Sequence, residues 1–169
     1  MKSRPLLAVS ACLLGYSVRY DGGDKYEPWI VEVLGKVADF LPICPEEGIG
    51  LGTPRPPIRL AGPPDRPRAQ GIADPSLDVT GRLRAYALEM LPQLGNVSGY
   101  ILKSRSPSCG LRGVKLFADG ERYSREGTGI YAAFIAAHLP HLPLVDEEEL
   151  RDPRLREEFF GKIGLRLKT

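Results

Sequence analysis

The chain has 169 residues, 43% of them hydrophobic, and a formal net charge of +2. This length fits one domain with its own core, and so small a charge gives no support for nucleic-acid binding by itself. No apolar run is long enough to cross a membrane. The N-terminus has a basic start and an apolar stretch but lacks a small-residue cleavage site. We therefore expect a buried first strand and a cytoplasmic protein.

Strand and helix patterns alternate along the first part of the chain. Leu6–Ser10 is short and apolar and ends in a polar turn, which predicts a strand. Trp29–Ala38 has apolar residues at helical spacing, and Pro28 precedes it where a helix can begin. Phe40–Cys44 is predicted to be the second strand. A strand, a helix and a strand in this order are typical of a parallel βαβ unit.

The middle of the chain is less regular. Pro45–Ile72 is rich in proline, glycine and arginine and shows no periodicity, so we predict a long ordered loop over a functional site. A helix is predicted over Gly81–Leu91, with Asp78 or Thr80 capping its first N–H groups. Gly99–Leu102 is predicted to be the third strand.

The last third of the chain completes an α/β pattern. The predicted elements are a polar loop over Lys103–Gly113, a strand over Val114–Ala118 that enters a hairpin turn, a helix over Gly127–Leu139, a strand over Leu142–Val145 and a charged helical segment over Glu147–Gly161. Pro153 either breaks this last segment or opens its second half. We predict a Rossmann-like, three-layer α/β fold with a mostly parallel sheet, forming a single domain over residues 1–169. Its motif core spans residues 6–145 and its charged C-terminal segment residues 146–169.

Three cysteines, Cys12, Cys44 and Cys109, each follow a predicted strand. Because ligands bind outside the carboxyl ends of the strands in an open parallel sheet, the three thiols could meet at one point. An odd number of cysteines excludes a complete disulfide framework and indicates a reducing compartment. A small buried hydrophobe is the alternative role for any one of them.

Thiolates bind both iron–sulfur clusters and zinc. Zinc needs a fourth ligand, and the chain has only two histidines, His138 and His141. Both follow the predicted late helix, where a helix end and a surface turn suit them better than a zinc site does. The three thiols therefore favour a metal group with one position left open.

Residues near the cysteines supply candidate chemistry. Glu46 lies two residues after Cys44 and could donate or accept a proton, although a surface carboxylate is an equal alternative. Other candidates are expected near the point where the three thiols meet. They are Ser104, Ser106 and Ser108 before Cys109, and Arg19, Tyr20 and Asp21 after Cys12. Turn residues of a solvated loop are the plain alternative for the serines. The basic segments 55–68 and 103–112 border cysteines and indicate a negatively charged group or substrate.

The sequence stretches VSACLLGYSVRYDG, CPEEGIGLGTPRPP, DVT and LKSRSPSCG together resemble the 2-thiouracil desulfurase family, and the resemblance extends from about Leu6 to Val145. It implies a 4Fe–4S cluster held by Cys12, Cys44 and Cys109, with the fourth iron open. The implied reaction is non-redox: water replaces the sulfur of a thiolated nucleobase such as 2-thiouracil, giving uracil and hydrogen sulfide.

By motif position, Glu46 matches the family's acid–base carboxylate and Ser104 its catalytic serine. We predict substrate contacts from Ser106, Ser108, Arg19 and Tyr20. The loop over residues 47–52 departs from the family's usual pattern, which leaves the exact substrate open.

Two other functions remain open from the sequence. The chain could be a non-catalytic iron–sulfur sensor, or a sulfur carrier linked to tRNA thiolation. The expected partner is a free thiolated base or nucleoside, with no membrane partner, and nucleic acid is the less favoured substrate. An electron carrier normally uses four cysteines, so three favour chemistry at the cluster.

Overall fold

The computed structural model describes residues 4–167, so the first three and the last two residues of the predicted domain lie outside the described part. The fold is mixed α/β with two four-stranded sheets. The strands are β1 Leu6–Ser10, β2 Asp39–Ile43, β3 Ile58–Ala61, β4 Arg68–Gly71, β5 Gly99–Leu102, β6 Val114–Phe117, β7 Tyr123–Gly127 and β8 Leu144–Asp146. The α-helices are α1 Pro45–Gly48, α2 Thr80–Leu94, α3 Ile130–His138 and α4 Pro153–Ile163. Within residues 4–167, no helix has both the length and the apolar character that crossing a membrane requires.

The first sheet is parallel throughout and has the strand order β2-β1-β5-β8. All four strands therefore end at the same edge, at Ser10, Ile43, Leu102 and Asp146. The chain order of the strands reverses between β1 and β5, and such a reversal opens a crevice that ligands occupy in sheets of this kind. The α/β class and the parallel sheet are thus confirmed, while the Rossmann-like assignment stays a prediction.

Apolar side chains cover both faces of the first sheet. On one face, Leu7, Val9 and Ile101 pack with the helical turns after Pro28 and with α4. On the other face, Ala8 and Tyr100 pack against α2 and α3. Alternate residues of one strand point to opposite faces, so strands buried on both faces need continuous apolar runs. This is why β1 and β5 are visible in the sequence.

The second sheet has the order β4-β3-β6-β7, in which only the β3–β6 pair is parallel. Its buried face includes Leu60, Ala69 and Leu116 and packs on Leu83 of α2 and Ile130 of α3. The hairpin predicted after Val114–Ala118 is present as β6 and β7.

The prediction that Pro45–Ile72 is one long ordered loop without helix or strand is wrong, although several of its residues do line a cavity. This segment forms the short helix α1 and the β3–β4 hairpin. Each strand has only four residues, and its inward positions alternate with arginine or glutamine. A period-two pattern so short is hidden among prolines and glycines.

Three other predicted boundaries change. Trp29–Ala38 is helical, but it forms a π-helical turn over Trp29–Val33 and a 3-10 turn over Leu34–Lys36 rather than an α-helix. The helix predicted from Gly127 begins at Ile130, because Gly127 still pairs in β7. Pro153 opens α4 and does not break it, and the Asp152 side chain caps the helix by accepting from Arg154 N at 2.9 Å.

Candidate active site

A cavity of about 520 Å³ lies at the carboxyl edge of the first sheet. All three cysteines line it, together with Glu46 and Ser104. Residues from the β3–β4 region, among them Pro57, Ile58 and Ile72, form part of its wall. The fold therefore brings together cysteines that are up to 97 positions apart in the chain, the separation of Cys12 and Cys109.

Cys12 and Cys44 are delivered by the ends of neighbouring strands. Cys12 lies in the 3-10 turn Ala11–Leu14 directly after β1 and is buried. Gly15 ends that turn with φ +94°, a left-handed conformation that glycine adopts without strain. Cys44 follows β2 and is the N-cap residue of α1, and its carbonyl accepts from Gly48 N at 2.8 Å.

Cys109 lies on a loop that is bound to the start of α3. Ser106 Oγ accepts from the backbone N–H groups of Ser108 at 3.1 Å and Cys109 at 3.0 Å. The backbone also joins the loop to α3, since Ala132 N donates to Ser108 O at 3.0 Å. A Cβ at Gly129 would lie 2.5 Å from Ser108 carbonyl atoms, so the close approach requires glycine. The Cys109 loop is thus tightly positioned by its own backbone.

Burial raises the pKa of each thiol. For Cys12 the pKa rises to about 11, although the neighbouring Arg19 opposes the shift. Burial also raises the pKa of Cys44, against the N–H groups of Glu47 and Glu46 that lower it. The pKa of Cys109 lies well above its ordinary value because of burial and the other two thiols. Metal binding would therefore replace protons on these sulfurs.

Glu46 is held at both carboxylate oxygens. Arg55 Nε donates to Glu46 Oε1 at 3.2 Å, and Ser108 Oγ donates to Glu46 Oε2 at 3.0 Å. The Glu46 side chain is 15% exposed and that of Arg55 only 4%. Each oxygen keeps a free lone pair, so Glu46 can accept or deliver a proton at the cavity while its position stays set.

Ser104 lies two residues after the end of β5, at the same carboxyl edge of the sheet as the cysteines. Its backbone N–H donates to Glu147 Oε1 at 2.8 Å, and its Oγ accepts from Lys103 Nζ at 3.1 Å. Glu147 directly follows β8 and pairs with Lys103 Nζ at 2.8 Å. The Ser104 residue is buried, but it lines the cavity.

The three candidate serines therefore differ in their surroundings. Ser104 and Ser106 line the cavity, whereas the lining residues do not include Ser108, which is fully buried. The Ser106 Oγ accepts hydrogen bonds from the backbone of the Cys109 turn, and the Ser108 Oγ donates to Glu46.

The residues predicted after Cys12 divide in a similar way. Arg19 and Tyr20 both lie at the cavity, with the Arg19 guanidinium 5.8 Å from the centre of the Tyr20 ring. Asp21 is not among the lining residues, and its carboxylate accepts from Gly23 N at 2.9 Å. Asp21 therefore shapes the turn that follows the other two.

The model of the 2-thiouracil desulfurase family matches residues 7–148 of this chain. The chain belongs to this family. A solved structure of the [4Fe-4S]-dependent thiouracil desulfidase TudS is 32% identical, with a TM-score of 0.71, and the match covers 91% of this chain and 98% of that one. The uncharacterized protein YbbK of Bacillus subtilis (strain 168) is 32% identical over 116 residues, 62% of this chain and 73% of its own length.

The donor set at the cavity fits an iron–sulfur group better than a single metal ion. Three thiolates around one zinc ion lie about 3.8 Å apart, since Zn–S bonds are about 2.3 Å. Within residues 4–167, no three side chains of His, Cys, Asp or Glu converge closely enough to hold one ion. A cluster spreads its cysteine ligands over a larger body. Neither His138 nor His141 lines the cavity, so the zinc alternative finds no histidine ligand there.

Charge around the cavity also fits a negatively charged group. The basic lining residues are Arg19, Lys25, Arg55, Lys103 and Arg105, against the acidic Glu46 and Glu148. The basic segments noted in the sequence supply three of the five. A cluster bound by three thiolates carries negative charge, which these cations would balance.

Sequence reasoning missed the role of four residues that support the site. Arg55 and Lys103 appeared only as part of basic segments, and Glu147 only as part of a charged helix. The Ser10 hydroxyl, at the end of β1, accepts from Lys103 N at 2.9 Å and acts to lower the pKa of the Cys109 thiol. No local motif marks these contacts, because each joins residues that are far apart in the chain.

Proposed function

We propose that this protein removes sulfur from a thiolated pyrimidine base of the 2-thiouracil type. It would do so with a 4Fe–4S cluster held by Cys12, Cys44 and Cys109. In this reaction water replaces the sulfur without any net redox change, and the products are uracil and hydrogen sulfide. The proposal assigns the catalytic roles to Glu46 and Ser104.

The observation that carries the proposal is that three thiols, two of them buried and one half-buried, line one cavity together with a carboxylate held by two hydrogen bonds. The cavity volume of about 520 Å³ is in the range of small-molecule sites. Family membership supports the reaction class, and the likeness to a thiouracil desulfidase that depends on a [4Fe-4S] cluster supports the cofactor.

When bound, the cluster supplies a Lewis-acidic iron with an open position that suits the soft sulfur of a C=S group. The chain's own residues supply the rest. Glu46 takes a proton from the attacking water and delivers it to the leaving sulfur. The second water proton leaves the new hydroxyl as the C=O bond forms, so water supplies both protons of hydrogen sulfide. Arg55 and Ser108 keep the carboxylate in place, and Ser104 orients the base.

The test is anaerobic reconstitution with iron and sulfide, followed by an assay of sulfide and uracil formed from 2-thiouracil. The wild-type protein should gain a cluster absorption spectrum and release one sulfide per uracil. Replacement of any of the three cysteines by alanine should lower bound iron and abolish turnover. A complete cluster spectrum with no sulfide release from 2-thiouracil or related thiobases would contradict the proposal.

Glu46→Gln and Glu47→Gln form a matched pair within α1. Glu46→Gln should keep the cluster and lose roughly 10²- to 10⁴-fold in kcat, the usual contribution of a general acid or base. Glu47→Gln removes an adjacent carboxylate that is 36% exposed and should change kcat by less than about threefold. Loss of the cluster in Glu46→Gln would instead make this residue structural.

A further inference from the structure

A buried ion pair lies directly behind Ser104. Lys103 Nζ and Glu147 Oε1 are 2.8 Å apart, and their side chains are 18% and 2% exposed. Placing two charges out of water is costly unless further hydrogen bonds satisfy them. The role assigned to Ser104 makes no direct use of either charge, so the pair needs its own explanation.

The ammonium of Lys103 has three N–H donors, and the structure gives each one an acceptor. These are Glu147 Oε1 at 2.8 Å, Ser104 O at 3.1 Å and Ser104 Oγ at 3.1 Å. With three donors on three oxygens, Lys103 has none left for a ligand in the cavity. It therefore acts on its neighbour and not on the substrate.

The contact to Ser104 Oγ sets the direction of the serine proton. A hydroxyl has one O–H donor and two acceptor lone pairs. Here one lone pair accepts from Lys103, so the O–H must point away from the ammonium. Within the described residues the Ser104 Oγ makes no other hydrogen bond, and Ser104 lines the cavity.

We propose that Lys103 and Glu147 are positioning residues that make Ser104 a hydrogen-bond donor toward the ligand. The ligand group that faces Ser104 is then an acceptor, such as a carbonyl oxygen of the base, and not an N–H. This inference rests on the proposed function in taking a pyrimidine base as the ligand.

Glu147 connects the end of β8 to the end of β5. It follows β8, while Lys103 and Ser104 follow β5, and these two strands pair up to Leu102 and Asp146. The Glu147 carboxylate also accepts from Ser104 N at 2.8 Å. One carboxylate thus fixes both the backbone of Ser104 and the ammonium that orients its hydroxyl.

The experiment measures uracil affinity by anaerobic calorimetry on cluster-loaded protein. Lys103→Met alone leaves a buried carboxylate unpaired and can fail to fold. The test therefore uses Lys103→Met/Glu147→Gln, in which the introduced amide oxygen can still accept from Ser104 N. Ser104→Ala and the double variant should each weaken uracil binding about threefold to tenfold, the effect of one hydrogen bond. Ser104→Ala added to the double variant should cause little further loss, because without Lys103 the Ser104 hydroxyl is no longer oriented to donate to the ligand.

Arg112→Met is the matched control. Arg112 lies on the loop that follows β5 and pairs with Glu149 at 2.7 Å, but its side chain is 64% exposed and does not line the cavity. This variant should keep uracil affinity within about twofold. If the losses from Ser104→Ala and from the double variant multiply, or if the double variant binds uracil as wild type does, the inference is overturned.

The two proposals fail separately. Uracil binding with the expected variant pattern, but without sulfide release from 2-thiouracil, contradicts the proposed function and supports the inference on Ser104. Absence of uracil binding by the wild-type protein overturns the inference, whatever the protein does to 2-thiouracil.

Discussion

Replacement of Arg55 by methionine tests how the carboxylate of Glu46 is held. The Arg55 side chain is 4% exposed and donates to Glu46 Oε1 at 3.2 Å. It also donates to Gly52 O at 3.0 Å and to Thr53 Oγ1 at 3.1 Å. Methionine can fill much of the same space, but it supplies none of these donors.

The expected loss of stability follows from these contacts. The bonds from the guanidinium to the uncharged oxygens of Gly52 and Thr53 contribute about 1 kcal/mol each, and the bond to the carboxylate about 1.5–3 kcal/mol. The sum of about 3.5–5 kcal/mol agrees with the cost of about 3–5 kcal/mol for breaking a buried pair. Because Glu46 is 15% exposed, water replaces part of the lost bond, and we expect about 3 kcal/mol. In a protein of this size that lowers Tm by roughly 6–12 °C.

The assay is urea unfolding and calorimetry of variants in the same state of cluster loading. Lys162→Met is the control, since it removes a surface pair with Glu158 at 3.4 Å in which both side chains are about 60% exposed. It should change stability by less than about 0.5 kcal/mol. If Arg55→Met loses no more stability than Lys162→Met, the pair is screened by solvent and Glu46 is not held by Arg55.

Two further predictions concern backbone packing and pH. Gly129→Ala places a Cβ 2.5 Å from Ser108 carbonyl atoms, so it should lower the free energy of unfolding by about 2 kcal/mol and should also lower the amount of bound iron. The control is Gly161→Ala in α4, whose Cβ meets nothing within 4 Å and which should raise the free energy of unfolding by about 0.5–1 kcal/mol. The pKa of Asp78 is raised by burial but more strongly lowered by bonds from Arg68 and Thr80, to about 2 from 3.8. A carboxyl group whose pKa is lowered by folding stabilises the fold at pH values above its pKa in the unfolded chain. Asp78→Asn should therefore lower the free energy of unfolding by about 1 kcal/mol at pH 7. That cost should fade between pH 3.8 and about 2; urea unfolding at several pH values checks it, and a cost that is independent of pH would contradict it.

The parts of the fold that were predictable are those in which local pattern and burial agree. The strands β1 and β5 lie in the middle of the first sheet, so nearly every side chain is buried and the apolar run is continuous. The helix α2 was predicted about three residues too short at its C-terminus, because Pro92 lies inside it. The hairpin of β3 and β4 was missed because its four-residue strands carry Arg59, Arg68 and Gln70 on the outer face.

The candidate site divides in the same way. Each cysteine could be placed after a strand, and Glu46 and the serines could be placed beside a cysteine, because these are short-range relations. The partners of these residues could not be predicted from spacing. Arg55 and Glu46 lie nine positions apart across a glycine-rich segment, and Lys103 and Glu147 lie 44 apart.

The sequence by itself determined where the apolar strands lie, that a cysteine stands near the end of three of them, and which family the motifs resemble. A continuous apolar run and its end are local features of the sequence, and burial of a strand on both faces requires such a run. Only the tertiary structure decided which two of the three candidate serines line the cavity, which one donates to Glu46, and which charges are paired. Hydrogen bonds and ion pairs depend on distances of about 3 Å between groups that the chain keeps apart, and only the packed sheet brings the ends of β1, β2, β5 and β8 to one edge.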